Sequence, residues 1–110
     1  MKNVLLVLLA VPGLLLAQDA ANGKKIFVRD GCYECHGYAG QGTVQGARLA
    51  PPPLNADGMI RYVRKPAGSM PAFTDKVLSD QEVKDIYAYL TSLPAPKPVK
   101  DIPLLDQLRK

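Results

Sequence analysis

Few side chains in this 110-residue chain can do chemistry, and they are crowded together. It has two cysteines and one histidine, and all three fall within Cys32-Tyr33-Glu34-Cys35-His36. Cys-x-x-Cys-His is the attachment pattern of haem c. On one helical turn both sulfurs project to the same side, where each can bond a vinyl-derived carbon at adjacent edges of a porphyrin. The imidazole one residue further on then falls under the iron. Two thioethers and a proximal His hold the group covalently, so its retention does not depend on reversible affinity.

Three other uses of these residues fit less well. A thioredoxin-like redox pair belongs near a βαβ pattern, and no strand-like alternation runs through the sequence. A structural zinc site takes four ligands, and two Cys with the only His make three. A plain disulfide between residues three apart closes too small a loop to stabilise a fold much.

A sixth ligand for an iron at His36 must come from elsewhere. No second His exists in the chain, which leaves the thioethers of Met59 and Met70, Met1 being expected to leave with an export signal. Met70 lies 34 residues after His36, between Gly68 and Pro71, and the following proline biases it toward an extended backbone. Met59 falls on the apolar side of a predicted helix, where packing is the default. Met70 is the candidate ligand.

The elements that must position these groups are short. Asp19 is a plausible cap for a helix over Ala20 to Arg29, closed by Gly31. Gly23 and Phe27 share one face of it. A second helix is predicted from about Asp57 to Lys65, with Met59, Ile60 and Val63 on one side, basic residues near its end and Pro66 as the stop. Ser79-Asp80-Gln81-Glu82 is a capping box, and Val83, Ile86, Tyr87 and Leu90 continue from it at helical spacing until Leu93. Between the first two helices, residues 37–55 carry four glycines and Pro51-Pro52-Pro53. A loop of that length in a small domain is expected to wrap something. Residues 94–103 hold four prolines and read as an extended, surface-hugging tail. The fold class is all-α.

Composition frames this. Lys2 followed by the apolar run Val4 to Leu16 and ending at Ala17 reads as a removable export signal. Pro12-Gly13 interrupts the run, which is too short to span a membrane. Cleavage there leaves 93 residues, 18–93 as one domain and 94–110 as a Pro-rich tail, with no membrane span. These carry 13 basic against 10 acidic side chains, a formal charge of +3, and no nucleic-acid stripe. An exported domain this small usually adds several disulfides, a metal or a cofactor, so without a disulfide framework something else must hold this one together.

The chain resembles the small class I bacterial cytochromes c over nearly all of its mature length. The resemblance is carried by Ala21-Asn22-Gly23-Lys24-Lys25-Ile26-Phe27, by Cys32 to Gly37, by Gly68-Ser69-Met70-Pro71-Ala72-Phe73, and by Leu78 to Glu82 leading to Asp85-Ile86-Tyr87-Ala88-Tyr89-Leu90. It implies a few short helices wrapped around one covalent haem c, attached at Cys32 and Cys35, with His36 and Met70 as axial ligands. It implies that the first and last helices cross, with Gly23 and Phe27 packed on Tyr87, Tyr89 and Leu90. A haem-ligating His commonly donates its other ring N–H to a backbone carbonyl. In the family that carbonyl often follows a Gly and belongs to a Pro; the matching place here reads Gly46-Ala47-Arg48. Arg48 is a candidate partner for a haem propionate. Tyr38, Tyr62 and Phe73 are candidate pocket walls.

With both axial positions filled by protein, the expected function is electron transfer by an exported, periplasmic monohaem cytochrome rather than enzymatic turnover. Met ligation favours a relatively high potential. Expected partners are redox proteins: a periplasmic dehydrogenase or quinol-oxidising complex on one side and a terminal oxidase on the other. Lys24, Lys25, Lys65 and Lys76 are candidate docking charges. A dedicated dehydrogenase subunit, with the tail as a docking strap, is the alternative to a free monomeric carrier. An enzyme or gas sensor with labile Met70 is a third reading.

Overall fold

Asp19 opens the first helix as its sequence position predicts: its side chain accepts the Asn22 N–H, and α1 runs Ala20–Arg29. The chain in this computed structural model is described over residues 18–108, so the expected export signal, residues 1–17, lies outside the described residues. Gly31, in the left-handed region, turns the chain into α2, Cys32–His36. After the glycine- and proline-rich loop come α3, Ala56–Arg64, capped by Asn55, and α4, Asp80–Ser92. The predicted capping box is complete: Ser79 accepts the Glu82 N–H at 3.2 Å and Glu82 accepts the Ser79 N–H at 2.8 Å. Among the described residues there is no strand.

The core lies where α4 packs on both α1 and α3. It consists of Ile26, Phe27, Ala50, Val63, Leu78, Val83, Ile86, Tyr89 and Leu90. Where α1 crosses α4, the missing side chain of Gly23 lets its backbone rest on Asp85 and Ile86. Phe27 meets Tyr89 with ring centroids 5.7 Å apart, a tilted pair. The face of α4 departs from the sequence pattern in one respect. Tyr89 and Asp85 are buried while Tyr87 is only half-buried, because α1 covers the 85/89 side of the helix and widens its buried stripe.

The tail departs from expectation in part. Residues 94–98 stay outside any helix as expected, but the chain then forms a 3-10 turn at Val99–Asp101 and a short α5, Pro103–Gln107. Pro103 sits at the first position of that helix, where its fixed φ and missing N–H cost nothing. Among the described residues no helix is long and apolar enough to cross a membrane.

Candidate functional site

Helices α1 to α4 leave a large hollow between them. A cavity of about 920 Å³ opens between α2, the 45–54 loop, α3, the 67–73 loop and α4. That lies within the roughly 300–1,000 Å³ range of sites for cofactor-sized ligands. Cys32, Cys35 and His36 all border it, and so does Met70 from the loop between α3 and α4. Phe27, Leu49, Val63, Phe73, Leu78 and Ile86 give it an apolar wall. Both cysteines are free. Burial pushes the Cys32 thiol up to about 11, with the nearby Asp30 charge adding to the effect.

His36 is held at one ring nitrogen. Its Nδ1 lies 2.7 Å from the Ala47 carbonyl oxygen. A carbonyl only accepts, so Nδ1 carries a proton, and Nε2 is the ring nitrogen left to face a metal. The Pro-to-Ala difference at residue 47 leaves this bond intact. Gly46 makes the approach possible, since a Cβ there would come within 2.5 Å of the Cys35 carbonyl oxygen and 2.9 Å of His36 Nδ1. These features together fit a covalently bound haem c: two thiols, an imidazole oriented by a backbone acceptor, a thioether, and an apolar hollow of cofactor size.

The remaining candidates divide. Tyr62 and Phe73 line the cavity as expected. Tyr38 does not; it is exposed and stacks on Tyr33 at 4.3 Å between ring centroids. Arg48 is exposed and borders a separate small hollow with Ala39, Gln41, Ala50, Pro94 and Pro96, so it is not brought to the cavity wall. Met59 lines the cavity as well as Met70, on the α3 side. Lys24, Lys25, Lys65 and Lys76 are all exposed.

Asp85 was not legible from motif spacing, whereas the wall made by the proline run follows the expected wrapping of the 37–55 loop. Asp85 is buried at the helix crossing, where it accepts the Asp19 N–H at 3.0 Å, the Asn22 amide at 2.9 Å and the Gln81 amide at 3.0 Å. Pro52, Pro53 and Leu54 bring the proline run onto the cavity wall. The Pro51-Pro52-Pro53 cluster was the available signal, because a stiff run inside a long loop must lie against something.

Residues 18–90 match the family model described as cytochrome C oxidase, cbb3-type, subunit III. A curated relative named cytochrome bc1 complex cytochrome c subunit, from Corynebacterium diphtheriae, is 35% identical over 77 residues. That alignment covers 67% of this chain and 27% of the relative, so the chain spans about a quarter of that protein's length. No solved structure matches.

Proposed function

This chain belongs to the small class I c-type cytochromes, and from that premise we propose that it is a periplasmic, monohaem electron carrier. Electron transfer is the activity of the family. The residues support one haem per chain, since its two cysteines are enough for one attachment. The observation that carries the reading is the shared cavity, which gathers Cys32, Cys35, His36 and Met70 around one apolar hollow. A haem bound there supplies one-electron exchange between ferric and ferrous iron. The protein's part is to anchor it through Cys32 and Cys35, ligate the iron with His36 Nε2 and Met70 sulfur, and keep water from most of the ring. With two protein ligands there is no open position for a substrate, so the chain carries electrons without turning a substrate over. A potential on the high side follows from thioether ligation.

Redox proteins are the proposed partners. The relative's name, a cytochrome c subunit of a bc1 complex, supports a place beside such a complex, and a dehydrogenase or terminal oxidase fits the same chemistry. A second reading, a dedicated subunit of one dehydrogenase, is favoured by the tail, where Val99, Leu104 and Leu108 are exposed apolar residues.

Expression in a host that matures haem c tests both readings. The carrier reading expects one covalent haem per chain, a reversible one-electron midpoint, a periplasmic fraction and purification as a monomer. Covalent haem in a chain that purifies only with a larger enzyme would favour the subunit reading. A chain without covalent haem would overturn both.

A further inference from the structure

The loop that delivers Ala47 to His36 is itself pinned by one side chain. Thr43 Oγ1 donates to the Cys35 carbonyl oxygen at 2.6 Å and accepts the Gln45 N–H at 3.0 Å. The Thr43 N–H donates to the Gly46 carbonyl at 2.9 Å, closing a turn over residues 43–46. The Gly42 N–H donates to the His36 carbonyl at 2.8 Å. Cys35 and His36 end the short α2, so their carbonyls have no intrahelical partner and need one from elsewhere. Thr43 and Gly42 supply it, and the same turn leads directly to Ala47.

We propose that Thr43 is a positioning residue for the His36 imidazole, setting its donor strength through the Ala47 carbonyl. This rests on the reading of the cavity as a haem site with His36 on the iron. A ring N–H held firmly by a carbonyl makes the imidazole a stronger donor, and a stronger donor favours the ferric state. The Thr43 hydroxyl uses both its donor and an acceptor site, so each bond polarises the other and the turn closes as a unit. Without the hydroxyl, the turn loses one of its two tethers to α2 and keeps only the Gly42 N–H bond to the His36 carbonyl, so the Ala47 carbonyl drifts from Nδ1 and His36 becomes a weaker donor.

Thr43→Val keeps the shape and removes the hydroxyl, and Thr43→Ser restores it. The purified haem-loaded proteins are compared by midpoint potential and by NMR exchange of the His36 Nδ1–H. The expected result is a higher potential and at least about tenfold faster exchange in Thr43→Val, with Thr43→Ser close to wild type. A Thr43→Val protein that melts lower but keeps the wild-type potential and exchange would overturn the proposal, leaving Thr43 a structural residue only. The wild type gives a reading that needs no variant. The Gln45 N–H and the His36 Nδ1–H should exchange through one shared opening, and independent rates would also overturn the proposal. Wild type lacking covalent haem would instead bring down the haem reading itself, a failure visible in the absorption spectrum before any comparison of variants.

Discussion

Gly23 of α1 rests on the backbone of Asp85 in α4, with no space between the two for even a methyl group. The carboxylate of that same Asp85 reaches back to accept the N–H of Asp19, the residue that caps α1. One residue of α4 thus fixes the crossing twice, once as a surface and once as an acceptor. The crossing sets the distance between α1 and α4, and both helices contribute wall to the cavity through Phe27, Val83 and Ile86.

Gly23→Ala is therefore expected to destabilise the protein by about 3 kcal/mol, the upper end of the range for overpacking a filled site. The neighbour is backbone rather than the end of a flexible side chain, so it cannot swing aside. Denaturant unfolding of the haem-loaded variant measures this. A loss under about 0.5 kcal/mol would mean that the helices separate without cost.

Asp85 gives a pH signature. Burial pushes its carboxyl up, but the hydrogen bonds from Asp19, Asn22 and Gln81 outweigh burial and hold it below the usual carboxylate range. A folded value below the unfolded one, near 3.9, adds stability that is fully present well above that pH. It is lost as pH falls through the folded value. Asp85→Asn would face one of these donors with its own NH₂, at a cost of about 1–3 kcal/mol at pH 7. The gap between wild type and variant should shrink from pH 7 to pH 3 in denaturant titrations. A gap that stays constant would show that the ionised form gains nothing here.

How much of this was legible beforehand differs by element. The helices with caps written into the sequence, at Asp19 and Ser79, appear where predicted, because a cap is a local interaction between residues three apart. The haem motif and Met70 also converge on one cavity as expected. On α4, Val83, Ile86 and Leu90 are buried as the helical spacing predicts, and only Tyr87 gives way to Tyr89 and Asp85. Periodicity finds apolar residues, whereas Asp85 is buried for its hydrogen bonds to α1, 63 and 66 positions away in sequence. Arg48 follows the same logic from the other side. Its place after Gly46-Ala47 made it a propionate candidate, but the turn that aims the Ala47 carbonyl at His36 leaves Arg48 on the outer surface. Long-range pairing and loop direction are not encoded in spacing.

Loss of haem should unfold the chain. Phe27, Val63, Leu78, Val83 and Ile86 belong to the small buried core and also border the cavity, so their inner faces depend on what fills it. A domain this small has little other apolar surface to bury. The double variant Cys32→Ala/Cys35→Ala, produced without covalent haem, is expected to show reduced helical circular dichroism and no cooperative melt. A sharp transition at the temperature of the haem-loaded wild type would show that the helices hold together alone.

The assignment of Met70 is tested last, because electron transfer without an open iron position depends on it. Two methionines line the cavity, and position alone does not separate them. Both are partly buried against the core, but Met59 lies in the middle of α3, where helix geometry fixes its backbone. Met70 precedes Pro71 in the loop between α3 and α4, free of helix geometry. The nearby Phe73 N–H donates to the Val63 carbonyl at 2.9 Å, and Arg64 donates to the Phe73 carbonyl at 3.1 Å, tying the end of that loop to α3. A loop anchored in this way holds a ligand in place at its free end. Met70→Ala should lower the midpoint potential and let the ferrous protein bind carbon monoxide, since removing the thioether opens the sixth position. Met59→Leu should change neither property and cost less than about 1.5 kcal/mol, as a volume-conserving swap on a packed face. Carbon monoxide binding in Met59→Leu but not in Met70→Ala would move the ligand to α3. Binding already in the wild type would turn the protein from a carrier toward a gas-binding haem protein.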